Sequence, residues 1–218
     1  MKLNGILLAR YFAFIDILEL NPRGKAYFPN LVKAAVERYR FAKFPQKIEE
    51  FDEVKGISFE GGRSDSFNIL KVVVHDHAIY VDTSSSTEDS EGLLHEMLSW
   101  LAKDHGLIFD DSMISRCTYV SQLAFSSDSL GKAFSPAVLK LADKLSKRVP
   151  AYYRQELEYK PSAFLLSYDP LSTKAGPSNF SIERRADSLY VDNKFFSSAP
   201  LPTQEHIAAL EEMERELR

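Results

Sequence analysis

The chain has 218 residues, of which 44% are hydrophobic, and this content suffices for a folded core, so a wholly disordered chain is excluded. Its 27 Lys and Arg against 31 Asp and Glu give a formal net charge of -4. This balance removes the long-range positive field on which most nucleic-acid binders and membrane-surface proteins depend.

The first half of the sequence predicts the order strand, helix, strand, hairpin, helix. A strand at 11–20 ends at the turn formers Asn21-Pro22-Arg23-Gly24, and a helix begins at Pro29, where a proline costs no hydrogen bond. A short strand at 56–60 and a hairpin at 67–82 follow, with the hairpin turn near His75-Asp76-His77. The last helix runs from a Ser/Thr cap to Gly106. Its apolar stripe consists of Leu93, Leu94, Met97, Leu98 and Leu101.

The second half predicts the same order again. A strand at 119–125 precedes a helix that begins at Pro136, and a further strand is expected at 162–168. The segments 180–184 and 189–192 predict a hairpin, and 203–217 predicts the final helix.

Matching spacings in the two halves indicate a tandem duplication. Phe12 precedes Pro29 by 17 positions, as Tyr119 precedes Pro136, and Ile79-Tyr80-Val81-Asp82 aligns with Leu189-Tyr190-Val191-Asp192. We therefore expect an α+β fold of two β-α-β-β-β-α repeats, 1–112 and 113–218, fused about a pseudo-twofold axis with helices packed on a mainly antiparallel sheet. In topology alone, this order is similar to duplicated effector-binding domains of the gyrase-inhibitor type and to the TATA-binding saddle.

Charge is segregated between the predicted helices of each half. The first helices carry basic residues and the second helices are acidic. The basic residues are Lys33, Arg38, Arg40, Lys43 and Lys47, then Lys140, Lys144, Lys147 and Arg148. Adjacent helices that exchange surface ion pairs would explain this pattern, and the acidic total favours that interpretation over a basic stripe for nucleic acid or an acidic protein.

Two predicted ligand positions follow from the aligned strand ends. Tyr80 and Asp82, with Tyr190 and Asp192, would line a symmetric cleft in which phenol and carboxylate groups meet a ligand. The alternative is that they are the outward-facing residues of strands whose neighbours face the core.

A metal site at His75 and His77 is a further hypothesis, because residues two apart on a strand point to one face. It needs a third ligand, such as His95 or Asp82, and a polar hairpin turn is the alternative. The polar segment 83–87 is interpreted as a helix cap in preference to a phosphate site, because it lacks glycine and acidic residues follow it.

Catalytic patterns are weak throughout the sequence. The Glu158-Tyr159-Lys160 spacing occurs in metal-dependent nucleases, but such a triplet arises often by chance. No Gly-x-Ser-x-Gly elbow is present, and the single cysteine, Cys117, is interpreted as a small packed side chain in a reducing compartment. No catalytic residue is assigned.

These observations favour a non-catalytic binding or scaffold subunit that docks a protein partner or a second copy of itself. A small-molecule sensor with a cleft between the repeats is the first alternative, and a metal-dependent hydrolase or nuclease is the second. We expect no cofactor. No apolar run approaches the roughly 18 residues of a membrane span, so we also expect no membrane partner and a cytoplasmic location.

Overall fold

The computed structural model describes residues 1–169, 171 and 176–218, and these form an α+β fold. The strands are β1 (Lys2–Phe14), β2 (Ile57–Arg63), β3 (Asn68–His75), β4 (Ala78–Thr83), β5 (Arg116–Ser126), β6 (Ala163–Leu166), β7 (Phe180–Arg184) and β8 (Lys194–Ala199). The helices are α1 (Ile17–Leu20), α2 (Phe28–Tyr39), α3 (Thr87–His105), α4 (Pro136–Arg148), α5 (Pro150–Tyr153) and α6 (Thr203–Glu216).

The eight strands form one sheet in the order β2-β3-β4-β1-β5-β8-β7-β6, and neighbouring strands are antiparallel. The two longest strands, β1 and β5, pair at the centre, with Phe14 opposite Arg116 and Lys2 opposite Ser126. The predicted α+β class with a mainly antiparallel sheet is confirmed.

The strands place their apolar residues on the face that the helices cover. Along β1, Tyr11 and Ala13 are buried, whereas the alternate residues Phe12 and Phe14 are only partly covered. Above the first half of the sheet, α2 and α3 close a core to which Leu31, Val32 and Leu94 contribute. A smaller core lies beneath α6 and contains Leu123, Phe125, Leu130, Ile182, Phe195 and Leu210.

Helix α3 begins and ends as its sequence predicts. The backbone N–H of Asp89 donates to Ser86 Oγ at 3.0 Å, which satisfies one donor of the first turn. Gly106 ends the helix at φ 80°, a left-handed conformation that favours glycine. The cap interpretation of 83–87 is therefore confirmed, and so is the buried leucine stripe.

The start of the chain differs from the prediction. The first strand was expected at 11–20 but lies at Lys2–Phe14, because Asp16 starts a helical turn instead. The Asp16 side chain accepts a hydrogen bond from the backbone N–H of Leu18 at 2.8 Å, and this cap ends the extended segment.

The predicted strand at 189–192 is wrong. Tyr190–Asp192 forms a short 3-10 turn that Asn193 ends at φ 48°, and the strand that pairs with β7 begins at Lys194. The alignment of Leu189-Tyr190-Val191-Asp192 with the β4 residues Ile79-Tyr80-Val81-Asp82 therefore does not correspond to matching elements.

Within the described residues, no helix combines the length and the apolar character needed to cross a membrane.

Candidate functional site

Tyr80 and Asp82 lie on β4, between core residues and on the sheet face opposite α3. Asp82 is buried and accepts two hydrogen bonds from Arg10, at 2.6 Å from Nε and 2.8 Å from Nη2. The Arg10 guanidinium also lies 4.2 Å from the centre of the Tyr80 ring. The hydrogen bonds to Asp82 raise the pKa of Arg10. The polar groups of Arg10 and Asp82 are thus hydrogen-bonded to each other across β1 and β4, and the Tyr80 ring packs against the guanidinium.

The structure does not bring the predicted ligand residues together. Tyr80 pairs with Phe12, which pairs with Thr118 on β5. Asn193, next to Asp192, instead accepts a backbone hydrogen bond from Ser127, past the other end of β5. From Thr118 to Ser127 an extended chain covers about 30 Å, so Tyr190 and Asp192 do not share a cleft with Tyr80 and Asp82.

His75 and His77 do not share a strand face. His75 is the last residue of β3 and lies 6.2 Å from the Tyr80 ring, whereas His77 occupies the exposed turn. His95 is hydrogen-bonded at 2.8 Å to Asp111. Within the part of the chain that the structure describes, no group of three or more His, Cys, Asp or Glu side chains is placed to hold a metal ion.

The remaining sequence candidates have ordinary structural surroundings. Lys160 forms an ion pair with Glu158 at 2.8 Å, on a segment outside the regular strands. Cys117 is half-buried on β5, with its Sγ 3.7 Å from the Tyr119 hydroxyl.

The basic helices of the two halves differ in their partners. On α2, Arg38 forms an ion pair with Glu96 of α3, and the Tyr39 hydroxyl donates to the same carboxylate at 2.6 Å. Burial and this carboxylate raise the pKa of Tyr39. The predicted ion pair between adjacent helices is therefore present at Arg38, whereas Lys33 forms an ion pair with Glu37 of its own helix.

Helix α4 has no buried residue and leaves most of its apolar side in solvent, although Ala142 and Val149 on that side are partly covered. Val138, Leu139, Leu141 and Leu145 are between 37% and 57% exposed, and we call these four residues the α4 surface. Among the described residues, Lys140 and Lys144 have no ion-pair partner, and Lys147 pairs within the helix with Asp143. The helix thus combines a largely exposed apolar side with basic residues that have no ion-pair partner in the described part of the chain.

Local interactions explain why α4 forms without a covering layer. Ser135 caps its start by accepting a hydrogen bond from Val138, and Pro136 occupies the first turn. On one flank, the Ser146 hydroxyl accepts a hydrogen bond from the backbone N–H of Tyr159 at 2.7 Å. This bond holds the segment after α5 beside the helix and leaves the α4 surface open.

A second feature is an apolar pocket enclosed by α2, α3 and the sheet. Its volume is about 260 Å³. Its helix side is formed by Leu31, Val32 and Ala35 of α2 and by Leu94, Met97 and Leu98 of α3. Leu18, Gly24 and Glu53 are the exposed part of the lining, and they mark where the pocket meets solvent.

The pocket is open to solvent at one end, so its apolar walls stay in contact with water until a ligand covers them. Filling it with hydrocarbon removes that apolar surface from water and is therefore favourable. Water is a poor filling because the walls offer few hydrogen-bond partners. The sequence did not predict the pocket, because its residues show the same apolar pattern as a filled core.

A scan against models of known protein families finds no match, and a search of curated proteins finds none either.

Proposed function

We propose that this protein is a non-catalytic binding subunit that docks a partner protein through the α4 surface. The observation that carries the proposal is the uncovered apolar stripe of a capped helix of 13 residues. Isolated helices of this length are marginal in water, and most helices in proteins are stabilised by packing of their apolar face. Helix α4 has little such packing within the described chain, because none of its residues is buried, and a partner that covers it would supply the rest.

Burial of the α4 surface would yield a useful binding free energy. Fully burying one Val or Leu side chain stabilises by about 1.5–3 kcal/mol, so four half-exposed ones retain on the order of 4 kcal/mol for a complex. Lys140 and Lys144 flank the stripe without ion-pair partners among the described residues. The matching partner is a protein with an apolar groove bordered by carboxylates.

The duplication into 1–112 and 113–218 is part of this proposal. The strand order reads outward from β1 as β4-β3-β2 and outward from β5 as β8-β7-β6. The two final helices meet at their first residues, where the Thr87 N–H donates to Thr203 Oγ1 at 3.0 Å and the Thr203 N–H donates to Thr87 Oγ1 at 2.7 Å. This reciprocal contact supports a pseudo-twofold relation, in which α4 corresponds to α2.

Site-specific photocrosslinking tests the proposal directly. A photoreactive residue at Leu141 should yield one discrete crosslinked product in the cells that naturally make the protein. The same residue at Lys33, which is exposed on α2, is the matched control and should yield none. A product of twice the chain mass would identify a second copy of this chain as the partner.

Reconstitution with the crosslinked partner then measures the contribution of the surface. We expect Leu141→Glu together with Leu145→Glu to weaken the complex at least a hundredfold, because two apolar contacts become buried carboxylates. Unchanged affinity of this variant, or equal crosslinking from Lys33, would contradict docking through α4.

A further inference from the structure

The apolar pocket under α2 and α3 carries an inference that is independent of docking at α4. We propose that it binds a small, mostly hydrocarbon molecule with a neutral or cationic polar end. The pocket lies within the first half of the sheet, away from α4, so occupancy of one site does not require the other.

The size of the ligand follows from the volume. An apolar protein cavity of about 150 Å³ holds benzene, so in proportion 260 Å³ accepts roughly ten non-hydrogen atoms. The pocket extends from the sheet residues Val72 and Ile79 up to Met97 of α3. A short alkyl chain or a small ring system therefore fits, whereas a long fatty acyl chain would have to protrude.

The chemistry of the polar end follows from the opening. Glu53 is the only ionisable side chain among the residues that line the pocket, and it is exposed there. Asn21 also lies at the opening, but its amide is used by both backbone groups of Ala26, at 2.9 Å each. A carboxylate on the ligand would meet the Glu53 charge, whereas an ammonium or a hydroxyl group would be accepted.

The turn at the opening of the pocket is held by hydrogen bonds. The two bonds between Asn21 and Ala26 close the loop that contains Gly24. Arg23 and Gly24 both adopt a φ of 61°, a left-handed conformation that is uncommon for arginine. Arg23 and Lys25 are exposed and lie outside the lining, whereas Glu53 is part of it.

A matched series of nine-carbon probes tests both parts of the inference. Nonan-1-ol, nonylamine and nonanoate each contain about the number of non-hydrogen atoms that the volume allows. Titration calorimetry with the full chain should show one site for the alcohol and the amine, with a negative heat-capacity change from apolar burial. Nonanoate should bind at least tenfold more weakly, and Glu53→Gln should remove that difference. Absence of binding by all three probes, or preference for nonanoate, would overturn the proposal.

Two variants locate the binding site. Ala35→Leu places three additional carbon atoms in the pocket and should weaken nonan-1-ol binding at least tenfold. Ala34→Leu makes the same change one residue earlier on α2, outside the lining, and should bind as the unmodified protein does.

If Ala35→Leu does not fold, a variant that enlarges the pocket replaces the variant that fills it. Met97→Ala should shift the preferred chain length from nine carbons towards twelve. An unchanged length preference, or equal weakening by the Ala34 and Ala35 variants, would place the alcohol elsewhere and refute the assignment.

Discussion

Helices α2 and α4 carry similar amphipathic sequences, yet only α2 is covered in the described chain. On α2, Leu31, Val32 and Ala35 face the core, and Arg38 pairs with α3. On α4, Val138, Leu139 and Leu141 are exposed, and Lys144 has no ion-pair partner among the described residues. The difference teaches that an amphipathic pattern predicts a buried face but not the molecule that buries it.

The largest expected effect is the difference in stability loss between a leucine truncation on α2 and one on α4. Leu31→Ala on α2 should lower the free energy of unfolding by about 2 kcal/mol or more, because it removes the apolar contacts of a buried side chain and enlarges the pocket beside it. Leu141→Ala on α4 should cost less than about 1 kcal/mol, because that side chain is already 57% exposed. Urea unfolding of the two variants measures both values. Equal losses would mean that α4 is covered in the isolated chain.

The second prediction concerns the pH dependence of stability, which differs between the two cores because a buried histidine lies in the core beneath α6. In the second core, His206 is fully buried and its Nε2 lies 2.8 Å from Ser197 Oγ. Burial lowers the pKa of His206 to about 4, from an ordinary value of 6.5. Between pH 6.5 and pH 4, His206 is therefore protonated in the unfolded chain but neutral in the folded chain. The free energy of unfolding consequently falls as the pH drops below 6.5.

The size of this pH effect can be measured against a variant. From pH 7 to pH 5, the His206 contribution should reduce the free energy of unfolding by about 2 kcal/mol. His206→Gln should remove this part of the pH dependence while the exposed histidines still titrate. Parallel pH profiles for the two proteins in urea unfolding would show that His206 is not the responsible group.

The smallest effect concerns the ion pair between α2 and α3. Arg38→Gln should lower the free energy of unfolding by at most about 1 kcal/mol, because Arg38 and Glu96 are both partly exposed. The loss should shrink in high salt, where exposed charges are screened. Lys144→Gln on α4 is the matched control and should have no measurable effect. A comparable loss in both variants would indicate an ion pair on α4.

Part of the fold was predictable because local patterns and local interactions agree. The α3 stripe, its Ser86 cap and its Gly106 end all indicate the same helix, and the structure confirms it. The β3–β4 hairpin followed from a segment that is too long and too β-branched for one helix and has a polar turn within it. The secondary structure of these elements is determined mainly by residues close in sequence and depends little on distant contacts.

Other elements depend on distant partners that the sequence does not reveal. In β1, bulges between Leu3 and Gly5 and between Ile6 and Leu8 shift the register against β5, so simple alternation is lost. Strand β8 contains Ser197, which is buried and hydrogen-bonded to His206, and a serine-rich segment does not predict an inner strand. The strand was predicted at the apolar segment 189–192 instead, which is wrong.

The candidate sites show the same division. The amphipathic sequence of α4 is visible in the chain, but its exposure depends on where the segment after α5 lies. The apolar pocket depends on the separation of α2 and α3, which no spacing of residues encodes. Tyr80 and Asp82 were correctly placed on a strand, whereas their pairing with Arg10 required the register of β1.

The central pairing of β1 with β5 has a consequence for how the chain folds and breaks. The ladder between these strands extends from Lys2 to Phe14, so a fragment that ends at 112 would present the bare backbone of β1 to water. Such an edge recruits other strands and aggregates. We therefore regard the two sequence halves as one cooperative unit that melts in a single transition, and limited proteolysis between them should not release a stable piece.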